Sequence, residues 1–396
     1  MKKKYIVLLF IITSFLSVKS QTVSDSKFGK GLINFVAKDS SFSVKFAPRI
    51  QFLTTSNWKY ENEDLEKANT SFLIRRARLK FSGFAFSPKL KYKIEIGLSN
   101  RDISGISLYT KNTPRIIMDA VLKWNFYENF VLWAGQTKLP GNVERVISSA
   151  NLQLVDRSFL NSSFNIDRDV GFQLRHHFNI TEKFIIREKF ALSQGEGRNV
   201  TTGNLGGLQY TSRIEVLPLG LFKKKGDYMG SDLQREATPK LIISATYDIN
   251  KNAVRNLSNR GLYMETDFGL HETDISTLFV DTMFKYNGFS FMGEYAYRTA
   301  KDPIARNLDG TETGVRVNEG TGLNLQGGYL FKSNWEATGR FSTIDINNQE
   351  LRNQYTIGVS KYIVGHKLKV QTDFSYLTLA GDKSNLLFRL QIDFHF

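Results

Sequence analysis

The sequence predicts an all-β protein that forms a transmembrane antiparallel β-barrel of about 16 strands. Three observations lead to this prediction. Apolar and polar residues alternate over many short segments, the connections between these segments are alternately short and long, and the chain beyond its first 20 residues lacks a long apolar stretch. Alternation with a period of two is typical of a strand. A membrane-spanning helix, in contrast, needs roughly 18 or more consecutive apolar residues.

The composition describes a folded chain without thiol chemistry. Of the 396 residues, 41% are hydrophobic and 13% are aromatic, which excludes a disordered chain. Cysteine is absent, so disulfide frameworks, thiolate metal sites and cysteine nucleophiles are excluded. The chain has 53 Lys and Arg residues against 38 Asp and Glu residues, a formal net charge of +15. Its length fits either one large barrel or several soluble domains, and the periodicity decides between them.

The first 20 residues have the composition of a secretory signal peptide. Lysines at positions 2–4 form a basic start, an apolar run extends from Tyr5 to Val18, and Ser20 provides a small residue at the cleavage position. The apolar run is shorter than the roughly 20 residues of a membrane-spanning helix. We therefore expect export and cleavage before Gln21, followed by a lead-in segment over residues 21–41. Loss of the four lysines of the signal peptide lowers the net charge from +15 to +11.

The alternation of apolar and polar residues extends over sixteen segments. In residues 42–46 the even positions are apolar, and the same period returns in residues 368–376 and 388–396. One face of each segment is apolar and the other carries Lys, Arg, Gln, Asp and Ser, which fits a soluble sandwich or a barrel with a wet lumen. We place the strands at residues 42–54, 72–86, 89–98, 115–126, 130–138, 169–178, 183–193, 207–217, 240–248, 275–286, 288–298, 321–331, 335–344, 354–362, 366–377 and 386–396.

The lengths of the connections favour a barrel over a soluble sandwich. Connections after most even-numbered strands are short, such as 87–88 and 332–334, and those after odd-numbered strands are mostly long, such as 139–168. A barrel with short periplasmic turns and long outer loops has this asymmetry, and a sandwich has no reason for it. The polar insert 218–238 is an exception, because a short turn is expected there. We predict one barrel domain over residues 42–396.

Several short motifs in the chain form a recognisable series. They are Arg75–Gly83, Asp119–Trp124, Gly135–Gly141, Arg168–Gly171, Gly293–Tyr295 and Gly327–Tyr329. In this order and spacing they resemble the phosphate-selective porin O and P family of outer-membrane channels. The resemblance implies a sixteen-stranded homotrimeric porin of the bacterial outer membrane that contacts lipid and passes small anions, with phosphate or polyphosphate as candidate solutes. Phosphate selectivity belongs to particular family members and does not follow from the fold.

Cationic side chains are concentrated on the polar face of the first five predicted strands. In a wide barrel this face lines water, and an excess of one sign along a pore wall favours the counter-ions. The alternative is that these cations only hydrate a wide pore or bind lipid phosphate at its rim. The predicted pore-lining and anion-binding residues are Arg76, Arg78, Lys80, Lys123, Lys138, Arg49, Lys45 and Lys93.

Two charged residues do not fit the alternation of the strands. Arg75 and Glu188 fall on the apolar face, where an Arg at the membrane midplane costs about 2 to 4 kcal/mol. We expect each of them to lie near the rim of the barrel or in a shifted register.

The connection 139–168 lies between the fifth and sixth strands, where general porins of this size fold a loop into the lumen. It contains Arg145, Arg157 and Arg168, with several Asp and Glu residues nearby. We predict that it forms a constriction, in which side chains of opposite sign create a transverse field that orients solutes. The alternative is a set of local salt bridges, each contributing about 0 to 1 kcal/mol.

The sequence gives little support for an enzyme or for a nucleic-acid-binding protein. His176 and His177 point to opposite faces of one strand, so they cannot share a metal ion. We predict no catalytic residues, no metal site and no cofactor, because no nucleophile elbow or HExxH motif is present. The basic residues are spread over alternating strands, so nucleic acid is not an expected partner. The terminal Phe396 matches the signal that outer-membrane barrels present to the barrel-assembly machinery.

These observations favour a passive outer-membrane porin for small anionic solutes. An outer-membrane barrel that acts as an adhesion or assembly scaffold, with its lumen plugged by loops, is the first alternative. A soluble secreted β-sandwich that binds carbohydrate is the second alternative.

Overall fold

Sixteen antiparallel strands form a closed barrel, in which each strand pairs with the next one along the chain. The last strand also pairs with the first, in a register that places Phe394 opposite Ile50 and Leu386 opposite Trp58. The strands are β1 (Arg49–Glu61), β2 (Asn69–Ala85), β3 (Ser87–Gly97), β4 (Ile117–Tyr127), β5 (Phe130–Lys138), β6 (Arg168–Asn179), β7 (Ile185–Ser193), β8 (Gln209–Leu217), β9 (Lys240–Ala253), β10 (Thr273–Tyr286), β11 (Phe289–Ala300), β12 (Gly320–Leu330), β13 (Trp335–Ile346), β14 (Arg352–Tyr362), β15 (Leu368–Thr378) and β16 (Ser384–His395). The predicted fold class is confirmed, and each predicted strand overlaps the strand of the same rank.

The computed structural model describes residues 28–61, 64–103, 106–378 and 383–396. The predicted signal peptide, residues 1–20, and the start of the predicted lead-in segment lie outside the described residues. All sixteen barrel strands lie within them.

Short and long connections lie at opposite ends of the barrel. The turn between β12 and β13 comprises residues 331–334, whereas the connection between β5 and β6 comprises residues 139–167. We call these two ends the short-turn end and the long-loop end. The connection between β8 and β9, residues 218–239, is long although it starts from the short-turn end.

The first predicted strand, 42–54, is divided in two. A short strand, Ser43–Phe46, ends two residues before Pro48, and β1 begins at Arg49. Pro48 has no N–H to donate to a neighbouring strand, which explains the break. The short strand still pairs with β2 and also with Ile33–Val36, so part of the lead-in segment extends the sheet at the short-turn end.

Neighbouring residues of each barrel strand face opposite sides of the wall. Asp281 on β10 is 2% exposed and Val280 is 43% exposed, while Asp373 on β15 is 2% exposed and Phe374 is 40% exposed. The buried carboxylates face the interior and the exposed apolar side chains face outward. This is the arrangement of a barrel with a polar lumen and an apolar outer wall.

Arg75 and Glu188, the two charged residues that the alternation places on the apolar face, are accommodated in different ways. Arg75 lies at a β-bulge, because the pairing of β2 with β1 shifts between Gln51 and Phe52, and its side chain reaches the lumen. Glu188 keeps the regular register and lies on the outside near the short-turn end of β7. Its carboxylate is 3.0 Å from Nδ1 of His176.

Among the described residues, helices occur only in the connections between barrel strands. They are α1 (Asn100–Ile103), α2 (Val143–Val146), α3 (Phe159–Phe164) and the 3₁₀ helices Leu108–Thr110 and Lys223–Tyr228. None of the helices in the described part of the chain is long and apolar enough to cross a bilayer. The remaining short strands, also in connections, are Asp64–Leu65, Glu265–Thr266, Gly269–Leu270, Ile304–Arg306 and Glu312–Arg316.

Residues 139–167, which we call the inward loop, fold into the barrel and carry α2 and α3. Ser158 caps α3, because its Oγ accepts a hydrogen bond of 3.1 Å from the N–H of Asn161. The loop packs against β7 to β11 and β13, so the opposite side of the lumen stays open. The first apolar cluster of this contact contains Leu139, Leu160, Phe164 and Ile166 with Ala191, Phe279, Ala296, Ile344 and Ile346. The second contains Val143, Ile147 and Leu152 with Ile185, Leu217, Phe222, Ile242, Met283 and Met292.

Candidate functional site

Polar contacts fix the position of the inward loop on the barrel wall. Arg49 of β1 binds the carboxylate of Asp393 at 2.6 and 2.8 Å and donates to Oγ of Ser149 at 2.8 Å. Nζ of Lys369 donates to the carbonyl oxygen of Leu152 at 2.8 Å. These contacts hold the loop toward β1 and β15 and leave free space along β2 to β7.

A cavity of about 1160 Å³ lies between the inward loop and the wall of β2 to β7. Arg101 and Arg198 line it at the long-loop end, and Glu182 and Lys183 line it at the short-turn end. The cavity therefore extends from one end of the barrel to the other, which is the geometry of a pore.

The lining of this cavity is strongly basic. Sixteen of its side chains are Arg or Lys and five are Asp or Glu. The cationic residues are Arg75, Arg76, Arg78, Lys93, Arg101, Lys123, Lys138, Arg145, Arg157, Arg168, Arg175, Lys183, Arg187, Arg198, Lys225 and Lys240. The acidic residues are Glu95, Asp102, Asp119, Asp167 and Glu182.

Some of the cations are neutralised by ion pairs within the wall. Arg78 donates to the carboxylate of Asp102 at 2.6 and 2.8 Å and to Glu95 at 2.9 Å. Nζ of Lys93 lies 2.8 Å from Glu95 and 2.7 Å from Asp119. A buried charge that has lost its partner is costly, so these pairs fix the side chains in place.

Other cations bind only neutral oxygen atoms among the described residues. Arg76 donates to the amide oxygen of Gln51. Nζ of Lys138 donates to carbonyl oxygens of the inward loop, including that of Arg145 at 2.6 Å. Because these acceptors carry no net charge, they do not offset the charge of either side chain.

One ion pair connects the barrel wall to the inward loop. The guanidinium of Arg75, turned inward by the β-bulge, donates to the carboxylate of Asp156. Removal of Asp156 from water alone raises the pKa of its carboxyl, but Arg75, Arg389 and Arg76 outweigh this effect and hold the pKa below its usual value. Asp156 is therefore ionised at neutral pH and holds the loop to β2.

A family model described as Phosphate-selective porin O and P matches residues 54–386. The chain belongs to this family. Family and fold together are those of a passive outer-membrane channel, and they point to a channel rather than an enzyme.

This porin is similar in sequence to a protein of Aquifex aeolicus (strain VF5) described as uncharacterized. The two are 23% identical over 384 residues, which cover 89% of this chain and 86% of the relative. In structure it is similar to an anion-selective porin from Comamonas acidovorans, with a TM-score of 0.55, 11% identity and coverage of 90% of this chain and 100% of the other. It is also similar to OmpF of Salmonella typhi in a complex with daunomycin, with a TM-score of 0.56, 10% identity and coverage of 91% and 99%. At these identities, the structural matches show the fold alone.

Eight of the eleven site residues predicted from the sequence of this porin line the cavity. They are Arg76, Arg78, Lys93, Lys123, Lys138, Arg145, Arg157 and Arg168. Arg49 does not line it, because Asp393 and Ser149 engage its guanidinium beneath the inward loop. Lys45 and Lys80 lie outside the lining and nearer the short-turn end, where Lys45 pairs opposite Ser82 of β2.

Several lining residues of the porin were missed from the sequence. Arg175 on β6 and Arg187 on β7 lie at positions of the predicted strands that face the lumen. The same alternation identifies them when it is applied beyond the first five strands. Arg198 and Lys225 lie in connections, where no periodicity gives the direction of a side chain.

The insert between β8 and β9, residues 218–239, folds back into the porin. Phe222 joins an apolar cluster of the inward loop. Nζ of Lys285 on β10 donates to three backbone carbonyl oxygens of the insert, each at 2.8 Å. Lys225 and Tyr228 of the insert line the cavity. The insert thus occupies part of the lumen at the short-turn end.

Proposed function

We propose that this porin lets small anionic solutes diffuse passively across the bacterial outer membrane. The observation that carries the proposal is the charge of the cavity lining, with sixteen cationic and five acidic side chains. A pore wall with an excess of one sign raises the local concentration of counter-ions, and the low-dielectric wall focuses the field into the water.

Both sides of the cavity contribute to this charge. On the side of the inward loop, the guanidinium of Arg157 donates to the carbonyl oxygens of Glu144 and Ile147, each at 2.8 Å. Burial and repulsion by Arg145 lower the pKa of Arg157 to about 9, so the side chain stays charged at neutral pH. A solute therefore passes between two cationic surfaces. This arrangement favours selection by the sign of the charge over orientation by a transverse field.

Small oxyanions, with phosphate and polyphosphate first, are the solutes that we propose. Arg presents a planar fork of N–H donors that matches phosphate and carboxylate oxygens, and ten of the sixteen cations that line the cavity are arginines. The family description and the anion selectivity named for the similar Comamonas acidovorans porin agree with this choice.

We also propose that the porin is exported by its signal peptide, residues 1–20, and assembles in the membrane as a homotrimer. The apolar outer wall supports insertion into lipid, and the family resemblance supports the trimer. Phe396 is the proposed signal for the barrel-assembly machinery. Its ring lies 4.8 Å from that of Phe394 and 6.2 Å from that of Phe28. Chemical cross-linking of the protein in detergent tests the trimer by mass.

Swelling of proteoliposomes tests the proposed function. Gluconate, glucose and glucosamine have similar size and different charge, so we expect gluconate to enter faster than glucose, and glucosamine to enter more slowly. The double variant Arg76→Gln with Arg78→Gln, at two residues that line the cavity, should lower the ratio of the gluconate rate to the glucose rate. Lys251→Gln is the matched control, because Lys251 lies on the outer surface and pairs with Asp274 at 2.7 Å.

Two outcomes of this experiment contradict the proposal. If no solute enters, the barrel is plugged, and a role as an adhesion or assembly scaffold explains the protein better than a role as a porin. If glucosamine enters fastest, the lumen selects cations.

A further inference from the structure

A groove of about 300 Å³ lies on the outer wall of the barrel, across β5 to β8. The apolar side chains of Leu174, Phe190 and Ile214 line it, and each of these residues is between 40% and 53% exposed. Outward apolar side chains of a membrane barrel face lipid. The groove is therefore open to lipid and is separated from the cavity of the lumen by the barrel wall.

A carboxylate lies at the end of the groove that is nearer the short-turn end. Glu188 on β7 lies opposite His176 on β6 and Ile214 on β8. Phe190, two residues further from the short-turn end, lies opposite Leu174. The apolar lining thus extends from Glu188 toward the middle of the wall.

The position of Glu188 along its strand corresponds to the boundary between lipid headgroups and hydrocarbon. It is the fourth residue of β7 (Ile185–Ser193), so it lies about 10 Å along a tilted strand from the start of that strand. The cost of a charge on the lipid-facing wall falls toward this boundary. A lipid headgroup can therefore reach Glu188 while the acyl chains of the same lipid stay in the hydrocarbon.

Stacked rings hold the histidine that orients this carboxylate. The ring of His176 is nearly parallel to that of Phe130, with centroids 4.1 Å apart, and it also stacks on Phe178 at 5.8 Å. Nδ1 of His176 lies 3.0 Å from Oε2 of Glu188.

The carboxylate of Glu188 keeps acceptor positions free on the outer surface. Among the described residues, neither Lys nor Arg forms an ion pair with it, and its side chain is 52% exposed. An ionised carboxylate has two oxygens with about four acceptor positions, of which His176 takes one. The groove thus combines an apolar lining with an available negative charge at one end.

We propose that Glu188 and this groove bind one phospholipid with a primary ammonium headgroup, from the membrane leaflet at the short-turn end. The ammonium group donates to the free carboxylate oxygen of Glu188, and one acyl chain lies against Leu174, Phe190 and Ile214. The site goes beyond the diffusion of solutes and does not depend on the charge of the lumen, because it lies on the outer wall.

The charge and the acceptors of the site favour this headgroup over others. A primary ammonium has three N–H donors, and its hydrogen bonds to a carboxylate are charge-assisted and therefore strong. A quaternary ammonium has the same charge but lacks N–H donors. A phospholipid with a glycerol headgroup has a net negative charge, which Glu188 repels.

Native mass spectrometry of the full-length porin in detergent tests the site. Phosphatidylethanolamine, phosphatidylcholine or phosphatidylglycerol with identical acyl chains is added in equal amounts, and the fraction of protein that retains lipid is measured for each. We expect phosphatidylethanolamine to be retained at least threefold better than either of the other two. This comparison uses the unmodified porin, so it does not depend on the folding of a variant.

Two variants test the two parts of the site separately. Glu188→Gln removes the charge, and Ser212→Phe fills the groove, because Ser212 lines it opposite Phe190. Each should lower the retention of phosphatidylethanolamine at least threefold. Glu312→Gln is the matched control, since Glu312 lies in an exposed hairpin and pairs with Arg306 at 3.5 Å. Unaltered mobility of the unheated protein in detergent gels shows that each variant is folded.

Three results overturn the proposal. The first is retention of phosphatidylethanolamine that does not exceed that of the other two lipids. The second is unchanged retention in Glu188→Gln or in Ser212→Phe. The third is a loss of subunits from the assembly in Glu188→Gln without a change in lipid retention, which would show that a second copy of the chain covers the groove.

Discussion

Asp119 reduces the positive charge of the pore wall by pairing with two of its cations. Its carboxylate lies 2.7 Å from Nζ of Lys93 and 3.2 Å from the guanidinium of Arg168, and it accepts a hydrogen bond of 2.9 Å from Thr137. Only 1% of the residue is exposed, so its charge acts on passing ions mainly by offsetting the two cations that it holds.

Replacing Asp119 with Asn should raise the single-channel chloride conductance at low salt. Two unit charges 4 Å apart in water interact by about 1 kcal/mol, so the increase should stay below about fivefold. It should be much smaller at 1 M salt, because the Debye length falls from about 10 Å at 0.1 M to about 3 Å at 1 M. Asp274→Asn on the outer wall is the control. A conductance at 0.1 M that stays equal or falls in the Asp119 variant contradicts the assignment of this wall as the anion path.

The insert of residues 218–239 is the element that departs most from a simple barrel. The side chain of Asp232 accepts a hydrogen bond of 2.8 Å from the N–H of Gly288, and the side chain of Glu236 accepts one of 2.6 Å from the N–H of Lys223. The first contact holds the insert to the turn between β10 and β11, and the second joins two parts of the insert. Since it also lines the cavity, it takes up space that a short turn would leave open.

Replacing residues 218–239 with a short turn that contains Gly and Asn should increase the single-channel conductance at 1 M salt, where the width of the pore matters more than its charge. It should also increase current noise, because the apolar cluster of the inward loop loses Phe222. The matched control replaces the turn 331–334 with the same residues and should leave the conductance unchanged. Equal conductance in both variants would show that the insert does not border the conducting path.

At the scale of the whole molecule, the barrel has one end with short turns and one end with long loops. This difference predicts which end of the barrel faces the periplasm. Ser333 lies in a short turn, and Asp309 lies in the exposed hairpin that contains Ile304–Arg306 and Glu312–Arg316. In a barrel of this class the short turns face the periplasm.

Labelling of introduced cysteines on intact cells tests this orientation, and the chain has no native cysteine to interfere. A maleimide on a polymer too large for the pore should label Asp309→Cys and should not label Ser333→Cys. Permeabilising the outer membrane should expose both positions. Labelling of position 333 alone on intact cells means that the barrel has the reverse orientation.

Sequence periodicity predicts the wall of this porin far better than its interior. The strands were found because alternation is a local property, and five of the eight residues predicted on the pore wall line the cavity because parity gives the direction of a side chain. The parity of a position does not show which residue its side chain binds. Arg49 falls on the lumen face but binds Asp393, 344 positions away along the chain, and no local signal indicates that Phe222 packs against the inward loop.

The zero-current potential of the unmodified porin in a gradient of potassium chloride tests the central claim most directly. The cavity lining has an excess of cationic over acidic side chains, and at 0.1 M salt or below the Debye length of about 10 Å or more lets their fields extend into the pore. We predict a potential close to the Nernst potential of chloride at low salt, and one that moves toward zero as both solutions are concentrated. A potential with the sign expected for potassium, or an unselective channel at low salt, would contradict the account.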